Sequence, residues 1–259
     1  MKNAFLKKEL ENGLFFEIKS VKETDTELWR RCFFDKKEDI EKASSALASD
    51  SFCASITVDG RTASQFIGVE STLCGKRGIY IYALCTDECY RGKGYMKRLV
   101  ELSFNYSKAR GYEFLWLFPA NEKLEEAYKK LGFSLPLSVG ASPVINSRED
   151  FFLSLEAPLE LIAFDGDYMK LYELSNKLLP FDAFVYALES IGGAVSVSYI
   201  LNNGKKDGYI ISDKNSESRI LAISDGYKDF IKYEKRSYAY LMPIKEIDPR
   251  GILAEPLLR

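Results

Sequence analysis

The 259-residue sequence is 46% hydrophobic and 29% charged, with 36 basic residues against 38 acidic ones. Such a chain is long enough for one large domain or two of about 100–150 residues, and its balanced charge gives no sign of a broad nucleic-acid or anionic-membrane surface. There is no histidine, which excludes a Cys/His zinc site and leaves proton transfer to carboxylates, Tyr, Cys, Lys, a chain terminus or water.

Met1 to Gly13 alternates Lys, Glu and short apolar groups and lacks a signal-peptide core. Leu14–Val21 reads as a strand. Thr24 and Asp25 can cap a helix over Glu27–Phe34, and a second helix fits Lys37–Ala48. Phe52–Val58 and Ala63–Thr72 form a hairpin across Asp59-Gly60, and Gly78–Thr86 is a further strand. Apolar spacing predicts a helix over Gly94–Arg110 closed by Gly111. Glu113–Phe118 is a short strand covered on both faces, followed by a helix Glu122–Leu131 closed by Gly132. The segment Ser134–Arg148, with Pro136, Gly140 and Pro143, reads as the connection between two domains, 1–140 and 141–259.

The second half repeats this succession. Phe151–Glu156 reads as a strand, Asp167–Lys177 and Phe181–Glu189 as helices. Ala194–Leu201 and Asp207–Ser212 are joined at Asn203-Gly204, then come a strand Arg219–Ser224, a helix Tyr227–Glu234 and a strand Tyr238–Pro243. The expected class is α+β, two similar units with mixed, mostly antiparallel sheets flanked by helices.

Five scattered cysteines (Cys32, Cys53, Cys74, Cys85, Cys89) form no Cys-x-x-Cys pair. Reduced thiols in a cytoplasmic protein without a metal site are the expectation. No stretch approaches the roughly 18–20 apolar residues of a membrane span.

Cys85 to Met96 reads CTDECYRGKGYM: a strand, a turn holding Gly92 and Gly94, then a helix start. Unpaired N–H groups and the helix dipole favour an anion there. Glycine lets backbone approach a pyrophosphate closely, and Arg91 and Lys93 add cationic donors. A two-glycine structural loop is the competing explanation. Neither the Gly-x-Gly-x-x-Gly run of dinucleotide folds nor the Gly-Lys-Ser/Thr ending of a P-loop is present.

With Tyr-Arg-Gly-Lys-Gly-Tyr-Met at 90–96, Leu-Phe-Pro-Ala-Asn at 117–121 and Ala-Tyr-Lys-Lys-Leu-Gly-Phe at 127–133, the chain resembles the GNAT superfamily of N-acetyltransferases over about residues 50–135. The resemblance implies that acetyl-CoA is the acetyl donor. Amides of Arg91, Gly92, Lys93, Gly94, Tyr95 and Met96 would bind its pyrophosphate, and Leu84, Cys85 and Thr86 would face its pantetheine arm. Met96 stands where the family usually has Gly or Ala, so its side chain must point away. Asn121 occupies a position near the cofactor arm. Tyr128 matches the tyrosine close to the thioester sulfur and would act as general acid. The base that deprotonates an amine acceptor is open among Glu70, Tyr82, a water chain and the carboxylate of Arg259. Cys85 reads as a small buried filler rather than a nucleophile.

In the second half only Asp225-Gly226 separates strand from helix, so the layout resembles a tandem enzyme whose C-terminal copy is degenerate, walling the acceptor cleft or forming a homodimer contact. The acidic residues Asp165, Asp167, Asp207, Asp213, Glu217 and Asp225 are either an attraction for a cationic amine or solvated loop charges. Transfer to a small-molecule amine and a non-catalytic acyl-CoA-binding or regulatory role are the two readings carried forward. A nucleotide-binding α/β protein is a third.

Overall fold

The structure, a computed structural model, describes residues 6–49, 51–73, 75–143, 160–214, 220–224, 226–227, 233–245 and 253–254. The class is α+β, and the chain divides into two compact units, Met1–Leu135 with Tyr240–Asp248, and Pro136–Ala239 with Pro249–Arg259.

In the first unit, β1 (Leu6–Glu11), β2 (Leu14–Lys19), β3 (Ser51–Val58), β4 (Arg61–Leu73) and β5 (Lys76–Thr86) run as successive antiparallel neighbours. Next comes β6 (Phe114–Leu117), parallel to β5, and then the end of β12 (Tyr233–Pro243), antiparallel to β6. The strand β1 was not expected. Its residues are mostly exposed, so the alternation that marks a half-buried strand is missing from the sequence, and pairing with β2 alone supports it.

Side chains alternate between two helical layers. Phe66 on β4 and Ile79 and Ile81 on β5 join Phe16, Phe52, Leu115 and Leu117 in a core closed by Leu99 and Val100 of α3 (Tyr95–Ala109) and by Tyr128 of α4 (Glu122–Lys130). The opposite face carries Tyr82, whose ring meets Trp29 of α1 (Thr26–Phe33) edge-on at 5.6 Å. Each large core side chain contributes about 1.5–3 kcal/mol by leaving water. A second helix, α2 (Lys37–Ala46), follows α1.

Two polar devices fix α1. Asp25 caps it, its Oδ1 accepting from Leu28 N at 2.9 Å. The buried Gln65 side chain donates to Asp25 O at 2.7 Å and accepts from Asp25 N at 2.9 Å. A residue on β4 thereby sets where α1 begins.

Part of the segment Ser134–Arg148, expected to connect two domains, is regular structure, and the first stretch of the first unit ends within it, at Leu135. Residues Leu135–Pro143 form strand β7, and β13 (Leu253–Ala254) pairs with it in parallel. Leu135 and Leu137 alternate with polar or proline positions, and prolines are tolerated near strand ends, so pairing outweighs the turn-forming composition.

In the second unit β8 (Glu160–Ala163) leads into α5 (Tyr168–Leu174) and α6 (Phe181–Ile191), then into β9 (Val195–Asn202), β10 (Lys205–Asp213) and β11 (Ile220–Ile223). The sheet order is β11-β10-β9-β8, all antiparallel, with Leu171, Phe184, Leu188, Tyr199 and Tyr209 buried. The predicted strand Phe151–Glu156 lies outside the described residues. The predicted helix Tyr227–Glu234 does not reach its stated end: Tyr233 and Glu234 already belong to β12, and residues 228–232 are outside the described ones. Among the described residues no helix is long and apolar enough to cross a membrane.

Candidate active site

Strands β5 and β6 pair over Gly78–Tyr80 and Phe114–Trp116 only, whereas β5 runs on to Thr86. Against β4, Tyr82 faces Ile67 and Cys85 faces Gln65, so three steps on β5 oppose two on β4. This is a bulge, with Ala83 in the left-handed region at φ 51°. Beyond it Leu84, Cys85 and Thr86 have no β6 partner in the register, and the parted strands open a cavity of about 590 Å³.

The glycine turn and the head of α3 line one part of this cavity, through Arg91, Gly92, Gly94, Tyr95, Met96 and Lys97. Gly94 is the N-cap of α3 at φ 81° and Gly92 has φ 75°, and a Cβ on either would meet no protein atom within 4 Å. The glycines are therefore required for backbone conformation as well as for open approach. No side chain caps α3, so donors of its first turn are left for another acceptor. The nearby Asp87 carboxylate is engaged, accepting from Cys89 N at 2.9 Å and pairing with Arg31 at 2.7 Å.

Tyr128 of α4 lines the cavity together with Leu84, Cys85 and Thr86. Its ring is 7% exposed and meets Phe133 edge-on at 6.2 Å. Among the described residues its hydroxyl has no hydrogen-bond partner. Burial, and secondarily the neighbouring Cys85, push the phenol up to about 12, so it holds its proton across the neutral range.

The cavity also holds two thiols. The hydrogen bond from Cys85 comes first and the Arg91 guanidinium adds to it in pulling Cys32 down to about 6 against the opposing effect of burial. Cys85 is pushed well up, by its bond to Cys32 and then by burial. The Cys85 carbonyl accepts from Ser64 Oγ at 2.9 Å, and the Thr86 carbonyl from Arg91 Nε at 3.3 Å.

Of the sequence-predicted site residues, the structure brings Leu84, Cys85, Thr86, Arg91, Gly92, Gly94, Tyr95, Met96 and Tyr128 around one cavity. Lys93 is not on its wall; its ammonium sits 5.3 Å from the Tyr90 ring centre. Asn121 instead caps α4, accepting from Leu124 N at 3.0 Å. Glu70 is not brought to the cavity. It faces Ile79, and its carboxylate is taken by the Tyr112 hydroxyl and by Arg77 at 3.3 Å. Tyr82 packs on Trp29, and Arg259 lies outside the described residues. Sequence reasoning missed Cys32, Phe33, Tyr90, Lys97 and Leu124. Lys97 was accessible from its place in the first turn of α3, but Cys32 and Phe33 reach the cavity only through the packing of α1.

Residues 16–133 match the family model described as Acetyltransferase (GNAT) family. These residues form a GNAT acetyltransferase domain. The GNAT-like fold is also that of solved structures with little sequence in common. A GCN5-related N-acetyltransferase from Anabaena variabilis is similar at 14% identity with TM-score 0.58, over 87% of this chain and 72% of that one. Another GCN5-related N-acetyltransferase, from Kribbella flavida, is similar at 10% identity with TM-score 0.59, over 89% and 71%. No curated protein matches the sequence. The GNAT domain's family assigns it to the acyltransferases, and the cavity described above lies within its boundaries.

Proposed function

We propose that the GNAT domain transfers the acetyl group of acetyl-CoA to a primary amine on a small molecule, by direct attack of the amine. The observation that carries this reading is one cavity shared by an uncapped helix head, two left-handed glycines and a protonated phenol. The residues fit the donor: the turn offers backbone donors without Cβ obstruction, and Arg91 and Lys97 add positive charge at the same wall. When bound, acetyl-CoA supplies an activated acyl thioester.

The chain's own groups then divide the work. Amides of the turn and of the first helical turn hold the diphosphate. The freed edge of β5 at Leu84–Thr86 offers main-chain groups to the pantetheine arm and to the carbonyl oxygen. Tyr128 keeps a proton at Oη for the departing thiolate. With Glu70 bound elsewhere, solvent in the cavity takes the proton from the amine.

The second unit fits a degenerate copy, with the division placed at 1–140 and 141–259. Support comes from topology: β8, α5, α6, β9, β10, β11 repeats the order β2, α1, α2, β3, β4, β5, with the same antiparallel neighbours. The acidic side chains there are partly occupied, Asp165 by Lys206 at 2.6 Å and Asp207 by the Tyr227 hydroxyl at 2.7 Å.

The test mixes protein and acetyl-CoA with polyamines, aminoglycosides and peptides while free thiol is followed. Thiol release with one of the small amines supports the reading. Retention of CoA without release on any amine would leave a binding protein, and no retention of CoA would end both readings.

A further inference from the structure

Cys32 stands in the last turn of α1 and Cys85 near the end of β5, and both line the cavity. Cys32 Sγ lies 3.7 Å from the carbonyl oxygen of Thr86, the residue that follows Cys85, and the two thiols are near enough to shift each other's titration. Neither is in a disulfide, and the acyl transfer proposed above uses neither. We infer that Cys32 and Cys85 are a reactive dithiol that exchanges with a low-molecular-weight disulfide entering the cavity and closes to an intramolecular disulfide.

The two sulfurs are suited to different steps. Cys32 is partly exposed and Cys85 is 6% exposed, so an incoming disulfide meets Cys32. Cys85 and Arg91 favour negative charge at Cys32, while burial, Asp87 and the C-terminal end of α1 disfavour it. The thiolate is the nucleophile in exchange. Cys85 is held as a thiol first by Cys32 and then by burial, so capping Cys32 removes the first of these influences.

The Cys32 thiolate attacks one sulfur of the small disulfide, forming a Cys32 mixed disulfide and releasing one small thiolate. Cys85 gives its proton to water, and its thiolate attacks the Cys32 sulfur. A Cys32–Cys85 bond forms and the second small thiolate leaves, taking up a proton. The dithiol loses two electrons, and the small disulfide gains them as two thiols.

The test uses the full chain and glutathione disulfide as probe, with peptide mapping by mass spectrometry. In the wild type, a peptide linking residues 32 and 85 is expected. In wild-type protein Cys32 should react about tenfold faster than the exposed Cys89, and the Cys85→Ser variant should stop at one glutathione on Cys32. Absence of the linked peptide from wild-type protein overturns the inference, as does labelling of Cys89 at a rate equal to that of Cys32. The wild-type mapping stands whether or not a variant folds.

Discussion

The Ser64 hydroxyl holds the Cys85 carbonyl oxygen at 2.9 Å, and its oxygen lies 3.0 Å from Thr86 Oγ1. Ser64 is fully buried on β4, so one side chain engages the last two residues of β5 beyond its bulge. Replacing Ser64 by Ala should lower stability by about 1 kcal/mol. Urea denaturation reads that loss. An unchanged midpoint, with acetyl-CoA retention also intact, would show that the bulge is held without Ser64.

At Gly94 a side chain meets open space but the wrong backbone region. Gly94→Ala should destabilise by about 1–2 kcal/mol, and it places a methyl group where a diphosphate would rest. The larger effect is expected in KM for acetyl-CoA rather than in kcat, measured by steady-state kinetics. Arg91→Glu should weaken CoA retention in calorimetry for the separate reason of charge.

Tyr128→Phe keeps the ring packing on Phe133 and removes the acid. A fall in kcat of roughly 10²–10⁴ is expected, with CoA retention little changed. The pH dependence has a definite sign. The folded phenol titrates above its ordinary value, at about 12, so its contribution to stability is complete below about 10 and is lost as pH rises through 12. Alkaline unfolding of the Phe variant should therefore begin at higher pH than that of wild type, as followed by circular dichroism.

Cys32 has the opposite sign. Its folded value is depressed to about 6, so the associated stabilisation is present above about 9 and is lost as pH falls through 6. Alkylation of Cys32 should show a midpoint near 6 that moves up in Cys85→Ser and in Arg91→Gln. A midpoint unmoved by either change would mean that neither partner acts on this thiol.

Gly78 pairs with Phe114 in the parallel register, and a Cβ there would run into the Phe114 ring. Gly78→Ala should destabilise by about 1–3 kcal/mol through overpacking. It acts where β5 and β6 meet before they diverge, so CoA retention should fall together with the thermal midpoint.

Most elements could be read from the chain because their information is local. Alternation marked β9 and in part β3, turn residues marked the hairpins to β4 and β10 at Asp59-Gly60 and Asn203-Gly204, and Asp25 and Asn121 marked helix starts. The strand β1 escaped because an exposed edge strand needs no apolar face. The segment Leu135–Pro143 escaped because its prolines and glycine speak for a turn, while a distant stretch, β13, makes it a strand.

The glycine turn and the helix after it were legible in the sequence alone, since dihedral freedom, helix periodicity and charge are properties of neighbouring residues, whereas Tyr128 was picked out by the family resemblance. Only tertiary structure decided that Glu70 is occupied by Tyr112 and Arg77, and that Cys32 and Cys85 line one cavity. Only it put Ala83 in a left-handed bulge where β5 leaves β6. Those outcomes depend on strand register and on where Gln65 pins α1, which are set between segments 40 residues apart.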